Sequence, residues 1–108
     1  MSATIATKYT PAEMAALPFP PGRLSKRAFD DGALEVRHYA PRGADTQTPH
    51  DRDEIYIVIS GTGTYRRAGE RVTFQPGDVL FAAAHDDHRF ETFSDDFATW
   101  VIFWGEKK

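Results

Sequence analysis

The sequence predicts an all-β fold, an antiparallel sandwich or barrel preceded by a short helical arm. Three observations carry this. Short apolar runs recur at a spacing of roughly ten residues, the rhythm of sandwiches and barrels. Gly, Pro and Asp punctuate the gaps between them. Two runs, Ile55-Tyr56-Ile57-Val58-Ile59 and Trp100-Val101-Ile102-Phe103-Trp104, are apolar at every position. Strands of that kind need cover on both faces.

Each element has a local reason. Thr10-Pro11-Ala12-Glu13 opens a helix: Thr caps, Pro suits the first helical position, and Glu closes a capping box. Pro18, Pro20 and Pro21 end it soon afterwards. Residues 1–22 therefore read as an N-terminal arm and 23–108 as a single barrel domain. Strands are expected over 26–29 and 34–39, joined by Asp30-Asp31-Gly32, a hairpin-turn signal. The run 54–59 ends at Ser60-Gly61-Thr62-Gly63, and 64–67 and 71–74 are joined through Ala68-Gly69. Pro76-Gly77-Asp78 turns the chain into 79–84, followed by 88–93, the turn Ser94-Asp95-Asp96, and 97–104. The two doubly apolar strands are expected to pack one face into the barrel. The other face is left for a second sheet, the arm or a partner subunit, which makes a homodimer the expected assembly.

Composition narrows the function. At 108 residues, 41% hydrophobic and 27% charged, the chain is an ordinary globular domain. A net charge of −3 with scattered basic residues argues against a nucleic-acid partner. The absence of cysteine excludes disulfides, thiolate metal sites and thiol catalysis. No run has the length to span a bilayer, and the first residues lack the basic and apolar stretches of a signal peptide. A cytoplasmic protein with no membrane partner is the expectation.

The chemistry lies in two segments, Thr48-Pro49-His50-Asp51-Arg52-Asp53-Glu54 and Gly77 through Thr92. Side chains alternate along a strand, so Glu54, Tyr56 and Val58 share one face, as do His88, Phe90 and Thr92. If both faces point inward, a carboxylate and an imidazole meet, and His50, just ahead of the strand, closes the group. Two imidazoles and a carboxylate hold a divalent metal while leaving positions open. Taken singly, these residues read equally as polar loop and turn residues, since an H-x3-E pair is common by chance.

Together the segments resemble the paired motifs of the cupin superfamily. In G-x5-H-x-H-x3/4-E-x6-G, His50 fills the second histidine, Glu54 the carboxylate and Gly61 the closing glycine. In G-x5-P-x-G-x2-H-x3-N, Gly77 and His88 fit with their spacing. Thr48 stands where the family has its first histidine, and Gly43 lies one residue too close to it. Ala83, His85 and Thr92 replace the usual Pro, Gly and Asn. The resemblance covers about residues 24–104. It implies a small double-stranded β-helix (jelly-roll) barrel with one divalent transition metal, Fe, Zn, Ni or Mn, on His50, Glu54 and His88.

His38 is a candidate fourth ligand or base, because it shares a face with Leu34 and Val36 that reads as inward. Thr48, Gln47, Tyr56 and Phe90 are the expected pocket residues, with Asp45 near the barrel mouth. Two functions follow: a metal-dependent enzyme of oxygenase, isomerase or lyase type acting on a small organic molecule, or a non-catalytic small-ligand-binding barrel whose metal site is structural or vestigial.

Overall fold

The computed structural model describes residues 4–108, with one short helix followed by eight strands. Thr10 caps helix α1 (Pro11–Ala16): its side-chain oxygen accepts from the Glu13 backbone N–H, and its hydroxyl donates to the Glu13 carboxylate. The helix stops at Leu17, just before Pro18. Two of its last carbonyls are met by a cation, since Lys26 Nζ donates to Met14 O and Ala15 O, both at 3.1 Å. The same ammonium lies 4.6 Å from the Phe19 ring centre. A buried lysine thus fastens the arm to the first strand.

The strands are β1 (Ser25–Asp31), β2 (Leu34–Tyr39), β3 (Asp53–Ser60), β4 (Gly63–Arg67), β5 (Glu70–Phe74), β6 (Val79–Ala82), β7 (His88–Phe93) and β8 (Ala98–Trp104). They form two antiparallel sheets, one of five strands in the order β1-β2-β8-β3-β6 and one of three in the order β5-β4-β7. This is the double-stranded β-helix. The Asp-Gly hairpin joins β1 to β2, with Asp31 opposite Leu34. Ala68 and Gly69, both at positive φ, make the tight turn from β4 to β5. The expected strand over 79–84 is shorter, because Ala83 enters a turn that Asp86 closes by accepting from the Ala83 N–H.

Gly61, the closing glycine of the first motif, has a steric reason as well as a positive φ of 85°. A Cβ there would stand 2.5 Å from Phe97 Cα, so β3 can leave the sheet only where no side chain intervenes.

The core lies between the two sheets. Tyr39, Tyr56, Val58, Leu80, Val101 and Phe103 come from the larger sheet, Tyr65, Phe74 and Phe90 from the smaller, and Phe97 from the loop before β8. Period-two alternation puts Thr99, Val101 and Phe103 inward on β8 and leaves Trp100, Ile102 and Trp104 outward. Part of the outer face is covered, where Tyr9 stacks on Phe29 beside Val36, Ile57, Trp100 and Ile102. Val79, Phe81 and Trp104 remain exposed. None of the described helices is long and apolar enough to cross a membrane.

Candidate metal centre

Glu54 is the second residue of β3 and points inward with Tyr56 and Val58. His88 is the first residue of β7, on the facing sheet, and points inward with Phe90. The loop before β3 brings His50 over the same spot, where its ring packs edge-on to Phe103 at 5.1 Å. The ligand atoms of His50, Glu54 and His88 all lie within 4.8 Å of one another. His50 Nδ1 is 2.8 Å and His88 Nε2 2.9 Å from the same oxygen, Glu54 Oε1. Glu54 and His88 side chains are each 1% exposed, whereas His50 is 33% exposed and forms the open side.

The second nitrogen of His88 fixes its chemistry. Nδ1 lies 2.9 Å from the Asp86 backbone carbonyl, to which it donates. In the neutral ring Nε2 is then a lone pair aimed at the centre, the arrangement typical of metal-ligating histidines. Burial pulls the His88 pKa down, but the bonds to Glu54 and to the Asp86 carbonyl, with the Glu54 charge, outweigh it and hold it above the ordinary value. Burial raises Glu54, and its bonds to both histidines and their charges overcome that to leave it lowered. Glu54 Oε2 is buried with no hydrogen-bond partner. An unpartnered buried carboxylate oxygen beside two imidazole nitrogens fits a cation, and this N/N/O set suits Fe, Zn, Ni or Mn.

A second layer supports the triad. Tyr56 hydroxyl donates to Gln47 Oε1 at 3.2 Å and lies 3.1 Å from His88 Nε2. Burial first, then the Glu54 charge, pushes the Tyr56 pKa well up, so the phenol keeps its proton. Gln47 is held in turn by Asp45, whose carboxylate accepts from Gln47 Nε2 and N, from the Tyr39 hydroxyl at 2.6 Å and from the Phe90 N–H. Sequence reasoning placed Asp45 only near the mouth. It is 3% exposed and ties three elements together.

Above the triad lies a cavity of about 340 Å³ whose wall includes Thr48, His50, Glu54, Gln47, Arg23 and Leu24. The other two expected pocket residues sit lower. Tyr56 and Phe90 share the inward face, but at 0% and 1% exposure they lie beneath the cavity floor, within the aromatic core. His38 corrects the face expected for β2. It stands opposite Trp100 in the register and packs edge-on to its ring at 5.6 Å, on the outer side of the sheet. The apolar Leu34 and Val36 face outward because arm residues such as Tyr9 cover that side, while Tyr39 takes the inward parity and carries Arg37 and Glu35 with it. Arg37 and Glu35 satisfy each other at 2.8 Å. Arg23 and Leu24 were missed, because nothing in the proline-rich arm indicates along which path it delivers the residues that follow it.

A jelly-roll barrel with two histidines and one carboxylate at its centre defines the class of protein. The chain belongs to the cupin domain family, whose model matches residues 35–104. Over 71 residues it is 41% identical to the HTH-type transcriptional activator RhaS of Yersinia pestis strain Pestoides F, a match covering 66% of this chain and 25% of that protein. This chain thus spans about a quarter of the length of the curated relatives it matches. Among solved structures, a protein of unknown function from Rhizobium leguminosarum aligns with a TM-score of 0.71 at 19% identity, covering 94% of this chain and 98% of that one. A cupin 2 conserved barrel domain protein from Salinispora arenicola gives 0.67 at 21%, covering 93% and 90%. A putative mannose-6-phosphate isomerase from Ralstonia eutropha gives 0.60 at 22%, covering 85% and 94%. At these identities the likeness is one of fold.

Proposed function

We propose that this chain is a metal-dependent cupin enzyme that takes a small organic molecule into the cavity above His50, Glu54 and His88. The observation that carries the reading is the unpartnered buried Oε2 of Glu54, set beside two imidazole nitrogens that converge on Oε1. A divalent metal bound there supplies Lewis-acid polarisation of a carbonyl or carboxylate, the chemistry of isomerases and lyases, or oxygen chemistry if it is iron. The chain's own residues do the rest. In the neutral ring the Asp86 carbonyl holds the proton on His88 Nδ1 and so turns the Nε2 lone pair to the centre, Glu54 supplies the anionic oxygen, and His50 lies on the accessible side. Thr48 and Gln47, on the cavity wall, offer polar groups to a bound oxygen.

A second reading has its own support. The 41% identity to part of a transcriptional activator favours a non-catalytic ligand-binding barrel. Elemental analysis of the protein, purified without a nickel column, tests the metal on which the enzyme reading depends. The enzyme reading expects about one equivalent of transition metal in the wild type and none in Glu54→Gln. A wild type that stays metal-free when purified in the presence of Fe, Zn, Ni and Mn salts leaves the ligand-binding reading. The exposed Val79, Phe81 and Trp104 support assembly as a homodimer.

A further inference from the structure

A second, larger cleft of about 880 Å³ adjoins the triad cavity, and the two share Gly22, Arg23, Leu24 and Thr46 as a common wall. Its other walls are Phe19, Pro20, Ala40, Pro41 and Ala44, apolar groups with no chemistry to offer beyond their surface, and Arg42, whose guanidinium donates to the Asp95 carbonyl. Phe19 and Leu24 are 58% and 49% exposed, so neither contributes to the core. Phe19 is held in place, because Lys26 binds the end of α1 and caps the Phe19 ring. This is a preformed apolar trough beside a polar one, the combination that small-ligand sites use.

Arg23 stands at the junction. Arg27, Arg37, Arg52, Arg66, Arg67 and Arg71 pair with carboxylates, and Arg42 donates to the Asp95 carbonyl. The guanidinium groups of Arg23 and Arg89 have no such partner among the described residues, and of the two only Arg23 lines the cavities, on their common wall. The one carboxylate on the triad side, Glu54, is buried and already engaged by two imidazoles. An incoming anion therefore meets a free guanidinium and no competing surface carboxylate. A planar five-donor fork suits a carboxylate, which it can bind through two parallel hydrogen bonds.

We infer that the ligand is an organic carboxylate with an apolar aryl or branched-alkyl substituent: its acid group meets Arg23 between the two cavities, and its apolar part lies in the trough of Phe19 and Leu24. The inference rests on reading the triad cavity as a small-molecule site, and it does not depend on the metal.

The test is calorimetric titration of the full chain with sodium 3-phenylpropanoate, 3-phenylpropanamide and sodium acetate, with metal content measured on each sample. The acid should bind about tenfold more tightly than either the amide, which lacks the charge, or acetate, which lacks the tail. Arg23→Gln should bring the acid down to the level of the amide at unchanged metal content. Leu24→Ser, at a half-exposed position, should bring it down towards acetate. Equal binding of acid and amide, no binding of the acid, or an Arg23→Gln variant that binds the acid as before would overturn the inference. So would sedimentation showing that Phe19→Ser converts a dimer to a monomer, which would give the trough to a second copy of the chain. A metal-free wild type that binds the acid through Arg23 would reject the metal reading alone.

Discussion

Nδ1 of His88 lies 2.9 Å from the backbone carbonyl oxygen of Asp86, and this one bond decides which nitrogen faces Glu54. Asp86 is itself pinned, its carboxylate accepting from the Ala83 N–H and from Arg67 Nε at 2.7 Å. The turn before β7 thus sets the tautomer of a buried side chain on β7. In the metal-free protein the neutral ring and the Glu54 carboxylate would face each other with lone pairs, so a proton belongs between them.

That proton sets opposite pH behaviour for the two forms. The His88 pKa is raised from 6.5, so its contribution to metal-free stability is full below that value and is lost as pH rises through the folded pKa. The Glu54 pKa is lowered from 4.5, so its contribution is present above that value and is lost as pH falls through the folded pKa. The pair should therefore stabilise the metal-free protein most between the two ordinary values. Metal must displace the His88 proton, so zinc affinity should fall as pH drops through the raised histidine range, by up to about tenfold per pH unit for each proton displaced. Urea midpoints and zinc titrations between about pH 5 and pH 8.5 check both trends. Zinc affinity that stays flat across that range would place the ion elsewhere.

Asp45 supplies a prediction about stability. Its carboxylate accepts from Tyr39, Gln47 and Phe90 at a site that is 3% exposed. Asp45→Ala leaves the Phe90 N–H and the Tyr39 hydroxyl without partners in a buried place. It should cost about 3 kcal/mol or more, each orphaned group costing about 1–3 kcal/mol. A fall in Tm of roughly 10 °C or more should follow for a domain of this size. Tyr56→Phe removes a single hydroxyl from the same chain of bonds and should cost only about 1 kcal/mol. Its sharper effect should be on metal affinity, through the freed Gln47 and the altered neighbour of His88.

The strands could be read in the sequence because they follow local rules, whereas the triad needed the resemblance to the cupin motifs to bring His50, Glu54 and His88 together. Turn residues bracket every strand, and a period of two carries Glu54 and His88 inward once the barrel closes. His38 shows where those rules stop. Its face was judged from the apolar Leu34 and Val36, but an outer face covered by Tyr9 and Phe29 is apolar too, so polarity alone could not tell inside from outside. Tyr56 and Phe90 show a second limit: parity gives a face, not a depth, and both lie below the cavity they were expected to line. Arg23 reaches the site through the path of the arm, which depends on the long-range contact of Lys26 with the end of α1.

The exposed outer residues predict an assembly. Phe81 and Trp104, whose rings are 6.3 Å apart, and Val79 at 62% exposure form an apolar patch on the outer side of the larger sheet. A dimer covering this patch would bury roughly 1,600 Å² or more. Light scattering should give twice the chain mass at micromolar concentration, and Trp104→Lys should return a folded monomer. A wild-type monomer under those conditions rejects the assignment.

Thr48 offers the most direct test of the metal centre. It stands where the cupin motif has its first histidine, two residues before His50, and it shares the cavity wall with His50 and Glu54. Its side chain is exposed, so a larger ring there meets open space rather than core. Thr48→His should add a third imidazole to the set and tighten zinc binding by at least about tenfold, since even hydrogen bonds to the ligands of a metal site are worth about 10–100-fold. His88→Ala in the same background separates gain of a ligand from a new surface site. If the centre is the one formed by His50, Glu54 and His88, the double variant should bind more weakly than Thr48→His alone, because it loses the only ligand supplied by the smaller sheet. If zinc binds the double variant as tightly as it binds Thr48→His, the ion sits on the loop and the buried triad is not its site.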